Sequence, residues 1–318
     1  MTPSITDVPG LHVGHWTDVE AATGCTVLLA PAEGIAAAAC VRGRATGTRE
    51  LDAVMPGHLV TRIHALLFTG GSAYGLGAAD GVMRWLASRG RGFDVGAGVV
   101  PIVPTAVIFD LAVGEFTWPD ASAGFAACEA AGSTVEEGSV GAGTGATVGK
   151  VLGAGGAMKS GVGTWSVRRD NLIVGALAVV NAFGDVRDAQ GSIIAGARRE
   201  GAFVDARRVL AEDVDAHRSF GPPRGNTTLL VAATNAACDR AGLGEVASMV
   251  VDALGQRITP VGTRFDGDVV FAVSTGTREP ASAMAIEMLA QDAAAMAIER
   301  AVRLAAGRPG LPGLADRA

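Results

Sequence analysis

Glycine occupies 45 of the 318 positions, and no three-residue period organises it. Such a chain is built from short elements, tight turns and backbones that approach one another closely. Apolar runs that read as strands lie at 25–30, 35–41, 64–68, 171–180, 227–234 and 269–274. The pair 25–30 and 35–41, divided by Pro31 and Gly34, reads as a hairpin, residues 5–16 as strand, turn and strand, and 99–111 as paired strands around Pro104. Helical spacing appears after the Gly70-Gly71 turn to about Ser88, and at 121–131, 200–213 and 244–254. A long Ala- and Met-rich helix is expected at 279–304, with Pro280 at its start and Gly307 past its end. Residues 308–318 read as a frayed tail, and 214–224, with Pro222 and Pro223, as the most linker-like segment. No repeat of 20–50 residues is evident. The fold class is α/β.

Hydrophobic residues make up 49% and charged residues 18%, which excludes a disordered chain. Net charge is −6, and Arg198-Arg199 and Arg207-Arg208 are isolated pairs, so no nucleic-acid partner is expected. The start of the chain lacks the regions of a signal peptide. The longest apolar stretch, 99–113, is too short for a bilayer and contains Pro101, Pro104 and Asp110. A soluble, cytoplasmic protein without membrane contact is the expectation. Cys25, Cys40, Cys128 and Cys238 are too far apart for metal-ligand spacing and read as reduced thiols, with Cys25 and Cys40 as small core residues. His12 and His15 belong to no His-Glu-x-x-His pattern, so neither a metal nor a cofactor is expected.

Gly225-Asn226-Thr227-Thr228 stands at the lip of the 227–234 run. Asn and Thr there can cap a turn. They can also cleave the chain: the Thr227 hydroxyl attacks the Asn226 carbonyl, an ester forms, and water frees Thr227 as a new N-terminus. A freed α-amine titrates at about 7.7–8.0 and can serve its own hydroxyl as base.

Four other stretches carry polar chemistry. Gly70-Gly71, between a strand and a helix start and followed by the sole tyrosine, Tyr74, either makes a concave anion-favouring turn or only permits close packing. The run 138–149 fails as a phosphate loop, because Thr144 stands where a glycine is required and Val151 follows Lys150. It reads as an irregular loop ending at Lys150, which is either solvated or brought to a site. Asn181, at a strand end, caps a turn or donates to an oxyanion. Asp266-Gly267-Asp268 makes a turn, binds a metal or orients an amine. The polar loop 42–52 belongs at the surface or in a cleft.

Taken in order, Gly-Gly-Ser-Ala-Tyr-Gly-Leu (70–76), Gly-Lys (149–150), Asn-Ala-x-Gly (181–184), Gly-Asn-Thr-Thr (225–228) and Asp-Gly-Asp (266–268) resemble the DmpA-type (P1 or S58) self-processing N-terminal-nucleophile hydrolases. These include β-peptidyl aminopeptidases and nylon-oligomer (6-aminohexanoate-oligomer) hydrolases. The resemblance covers nearly the whole chain. It implies an α/β/β/α sandwich of the DmpA and ornithine-acetyltransferase type. It also implies one hydrolase domain, 1–318, cleaved into an α chain (1–226) and a β chain (227–318) that stay associated, and oligomers of such heterodimers.

By the same resemblance Thr227 is the nucleophile and Asn181 the oxyanion donor. Lys150 lies near Thr227, and Asp266 and Asp268 align its amine and hydroxyl. Tyr74, Gly70 and Gly71 line the pocket for a peptide or small-molecule amide. The aminopeptidase members usually carry Ser as nucleophile and Ser-x-Glu where this chain has Asp266-Gly267-Asp268. Thr227 with paired Asp is closer to the nylon-oligomer hydrolases and points to an amidase of wider or different preference. The alternatives are an acyltransferase resembling ornithine acetyltransferases, and a non-catalytic glycine-rich binding protein.

Overall fold

The structure is a computed structural model and describes residues 2–212 and 225–317. The linker-like segment 214–224 lies outside the described residues. Two sheets pack face to face. One has five strands, in the order His12–Asp18, Thr23–Leu29, Ala65–Thr69, Thr105–Val107, Thr48–Arg49. The other has six, in the order Val162–Arg169, Leu172–Asn181, Thr227–Ala236, Val269–Arg278, Ile35–Val41, Arg62–Ile63.

Alternation along the central strands builds the layers, because successive side chains leave opposite faces of a sheet. Leu177, Val179, Leu229, Val231, Val269 and Phe271 face inward, against Leu28, Leu66 and Phe68 of the five-stranded sheet. Phe68 and Phe271 meet with ring centroids 6.0 Å apart. Val174, Ala176, Val180, Leu230, Ala232 and Val270 face outward, under α4 (Arg240–Arg257) and α5 (Ala283–Arg303). The five-stranded sheet is covered by α1 (Ala78–Ala87) and α2 (Ala121–Glu129). Helix, sheet, sheet, helix is the layer order expected. One short helix, α3 (Ala206–Glu212), lies outside these layers and packs with Val151 and Phe183.

Several sequence expectations are corrected. Thr23–Leu29 and Ile35–Val41 form no hairpin but enter different sheets. Thr105–Val107 does not pair with Val99–Val100; it lies parallel to Ala65–Thr69, while Val99–Val100 pairs Phe93–Asp94. Residues Ile5–Asp7 form a 3₁₀ turn, and Ala202–Phe203 is a strand ahead of α3. The long helix begins after Pro280, at Ala283, where the Ser282 hydroxyl accepts from the Ala285 N–H. Residues 308–317 are not frayed: Asp316 accepts the N–H groups of Gly307 and Gly313, and Pro312 accepts that of Lys159. Cys25 is fully buried, whereas Cys40 is half-buried against the outer core; all four cysteines are free thiols. Among the described residues no helix is long and apolar enough to cross a membrane, and no group of three or more His, Cys, Asp or Glu side chains is placed to hold a metal ion.

Candidate active site

Three interior strands of the six-stranded sheet bring their ends together at one end of the sheet. Leu172–Asn181 finishes at Asn181, directly across from Thr227, where Thr227–Ala236 begins. Val269–Arg278 runs parallel to the latter and starts just after Asp268, and Asn226 bridges Asp266. Residues far apart in sequence are thus neighbours because their strands are.

Thr227 is 4% exposed. The preceding carbonyl, that of Asn226, accepts the Gly267 N–H at 2.6 Å. A Cβ built on Gly267 would lie 2.8 Å from Thr227 Oγ1 and 2.6 Å from the Ala45 carbonyl, so only glycine fits beneath the hydroxyl. The loop after Ile35–Val41 clamps this turn from the other side. Arg42 and Gly43 donate their N–H groups to the Asp268 carbonyl, and Arg44 and Ala45 donate to that of Asp266.

The two carboxylates are fully buried. Asp268 accepts the Thr228 N–H at 2.7 Å and the Gly262 N–H at 3.3 Å. Asp266 accepts from the backbone N–H of Thr263 at 2.8 Å and its hydroxyl at 2.7 Å. Burial pushes both pKa values above the usual carboxylate range, and for Asp268 the neighbouring Asp266 charge adds to it. None of these bonds reaches Thr227, whose α-nitrogen is a peptide nitrogen in the continuous chain.

Asn181 is wholly buried and its amide is held on both sides. Oδ1 accepts from Lys150 Nζ at 2.6 Å and from the Thr147 N–H at 3.1 Å, and Nδ2 donates to the Phe109 carbonyl at 3.1 Å. Lys150 Nζ also donates to the Asn181 carbonyl at 3.0 Å. Burial brings the Lys150 pKa down to about 7 against the pull of Asp266 and Asp110. Lys150 is therefore no solvated loop residue; it sits one strand from Thr227.

Thr227, Asn226, Asn181, Lys150, Asp266 and Asp268 are thus gathered at one place. Gly70 and Gly71 stand behind them. The Gly71 N–H donates to Asp110 at 2.7 Å, and Asp110 directly follows Phe109, the partner of Asn181. Gly71 adopts φ +81°, and a Cβ there would run into Trp118. Tyr74 is not in this hydrogen-bonded set. It lies on an exposed aromatic cluster, stacked on Trp118 at 4.2 Å with Phe116 at its edge.

Three participants were missed in the sequence. The Gly267 N–H is a backbone group, signalled only by a glycine between two acids. Asp110 is a lone acid in an apolar run. Lys159 is one of only two lysines in a chain whose other cations are all arginine; the second is Lys150, and both ammonium groups are buried.

The model of Peptidase family S58 matches residues 3–306. An uncharacterized aminopeptidase of Mycobacterium tuberculosis is 44% identical over 289 residues, 86% of this chain and 81% of that protein. The 6-aminohexanoate-oligomer endohydrolase of Agromyces sp. (strain KY5R) is 31% identical over 288 residues, 85% of this chain and 74% of that one. In structure the chain matches the L-aminopeptidase D-Ala-esterase/amidase of Ochrobactrum anthropi, a variant of the Ntn-hydrolase fold. The TM-score is 0.70 at 20% identity, over 98% of this chain and 90% of that chain.

Proposed function

This chain belongs to peptidase family S58, and on that premise we propose that it is a self-processing amide hydrolase in which Thr227 first cuts the bond before it and then attacks substrate amides. One observation carries the reading: the Asn226 carbonyl is held at 2.6 Å by the Gly267 N–H while Thr227 Oγ1 lies against the same glycine. A donor already aimed at that oxygen stabilises the charge that grows on it as the hydroxyl adds. The Asn226–Thr227 C–N bond then breaks and its electron pair takes up a proton as the Thr227 amine. The Asn226 acyl group is left as an ester on Oγ1. Water hydrolyses the ester, leaving a carboxylate on Asn226 and a free hydroxyl and amine on Thr227.

In the processed protein the substrate carbonyl takes the place of the Asn226 carbonyl, with the Gly267 N–H and the Asn181 amide as its donors. The Thr227 amine is the base for its own hydroxyl. The Lys150 ammonium beside it disfavours a second positive charge and keeps more of the amine neutral near pH 7. The carboxylates of Asp266 and Asp268 receive the new ammonium when it forms. Of the residues read as lining the acyl group, Gly70 and Gly71 back the site through Asp110, whereas Tyr74 stands apart on the exposed aromatic cluster. Similarity to both an aminopeptidase and an oligomer endohydrolase supports amide substrates in peptides, β-peptides or 6-aminohexanoate oligomers.

Intact mass after denaturation tests this directly. Two species are expected, the smaller carrying 92/318 of the 31.9 kDa chain and beginning at Thr227. A single uncut species that hydrolyses no amide, or a Thr227→Ala protein that behaves as the parent does, overturns it.

A further inference from the structure

Behind the site lies a buried pair of opposite charges that no step above uses. Lys159 is 1% exposed, and its Nζ donates to four backbone carbonyls: Gly143 at 3.3 Å, Thr144 at 2.8 Å, Ala146 at 2.9 Å and Ser160 at 3.1 Å. An ammonium inside a cage of carbonyls fixes those peptide units as a bound cation would. The Ala146 carbonyl shares its peptide unit with the Thr147 N–H, which holds Asn181 Oδ1. Asp110 is 2% exposed and accepts from the Gly71 N–H at 2.7 Å and the Thr23 hydroxyl at 2.8 Å. Its chain neighbour Phe109 supplies the carbonyl that holds Asn181 Nδ2.

Two glycine-rich segments close on the Asp110 carboxylate. A Cβ at Gly70 would collide with Asp110 Oδ2, and one at Gly145 would lie 2.6 Å from it. Apart from Lys150 and Lys159 the side-chain cations of this chain are arginines, whose planar fork does not fit a cage shaped for a compact ammonium. Burial raises the Asp110 pKa to about 6 and lowers that of Lys159 to about 7, and the opposite charge of each partner works against that shift.

We propose that Lys159 and Asp110 are positioning residues that together orient the Asn181 amide, Lys159 through the Gly143–Thr147 backbone and Asp110 through the Phe109 carbonyl. The proposal rests on the reading of Asn181 as an oxyanion donor. Each residue anchors one end of that amide, and neither touches the reacting atoms. Losing either anchor lets the amide rotate away from the developing charge, which lowers kcat and leaves KM little changed.

The test is a pair of double-mutant cycles, Lys159→Met with Asn181→Ala and Asp110→Asn with Asn181→Ala. kcat and KM are measured on a small amide substrate and normalised to chain whose N-terminus is Thr227, with circular dichroism confirming the fold. Alone, each positioning variant should lower kcat about 10–100-fold, and in the Asn181→Ala background it should cost less than about threefold. A purely structural role gives additive effects, and an equal loss in both backgrounds overturns the proposal. Should Lys159→Met fail to fold, the isosteric Asp110→Asn cycle decides alone. If Asn181→Ala keeps full turnover while Thr227→Ala abolishes it, the donor role itself falls and this proposal with it. If Thr227→Ala keeps turnover, the proposed function falls.

Discussion

A methyl group at Gly267 would press on the Thr227 hydroxyl and the Ala45 carbonyl while leaving every ionisable group in place. Alanine keeps the N–H but pushes it and the Thr227 hydroxyl out of line, so Gly267→Ala should slow Asn226–Thr227 cleavage by about 10²–10³, a loss comparable to that of one oxyanion donor. A time course of intact mass reads this out. A turn that served only the fold would lose melting temperature and keep its cleavage rate. Asn181→Ala should lower kcat per processed chain by a similar factor.

Asp268 offers a pH test of the same region. Its folded pKa is raised, so between the unfolded value near 3.9 and the folded one the native state binds the extra proton. Stability from this group therefore falls as pH rises through that window, and the cost of the buried charge is complete above it. Asparagine keeps an acceptor for the Thr228 N–H without the charge. In a Thr227→Ala background, where no cleavage intervenes, Asp268→Asn should be more stable than its parent by about 1–3 kcal/mol at about pH 8. The advantage should vanish by about pH 4, and urea titration at the two pH values measures it. An equal difference at both values would mean that the charge is not what is penalised.

At the level of elements, close helix packing explains glycines that no turn requires. Gly81 on α1 and Gly124 on α2 face one another across their crossing. A Cβ on the first would overlap the Ala121 carbonyl, and one on the second the Ala78 carbonyl. Gly124→Ala should force α1 and α2 apart and cost about 1–3 kcal/mol, with kcat of the folded fraction unchanged, because neither helix touches the site. Thermal melting and active-site titration together check this.

Legibility differed by element for a physical reason. Runs such as 171–180 and 269–274 were readable because strands buried on both faces are apolar throughout. The supposed hairpin of 25–30 and 35–41 was misread because Pro31 and Gly34 mark a turn without saying whether the chain returns to the same sheet. The polar members of the site were visible at strand ends, where Asn181, Thr227 and the Asp pair interrupt apolar patterns. Lys159 was not, because a lysine between Met158 and Ser160 carries no periodic signal, and its four partners are carbonyls that every residue possesses. Gly267 was passed over because its contribution is a backbone N–H.

Across the whole molecule, the position of the proposed scissile bond, Asn226–Thr227, determines what cleavage there would release. Thr227–Ala236 is an interior strand of the six-stranded sheet, paired antiparallel to Leu172–Asn181 on one side and parallel to Val269–Arg278 on the other. Residues 227–318 therefore supply two neighbouring central strands together with α4 and α5, and residues 1–226 supply the strands on both flanks. Both large cores draw side chains from the two segments: Val179 beside Leu229, with Phe271, between the sheets, and Ala178 beside Leu230, with Ile298, under the helices. Breaking one peptide bond at the start of the interior strand removes none of these contacts, and apolar burial stabilises by about 25 cal/mol per Å² of surface kept from water. The processed protein should therefore elute from a gel-filtration column as one species containing both fragments, and melt in one cooperative transition. The fragment beginning at Thr227 should appear alone only in denaturant, and should not refold by itself, since its strands would lack their partners on both sides. Co-elution followed by denaturing mass analysis checks this. A fragment 227–318 that separates under native conditions would show that the interior strand is held less firmly than its pairing requires.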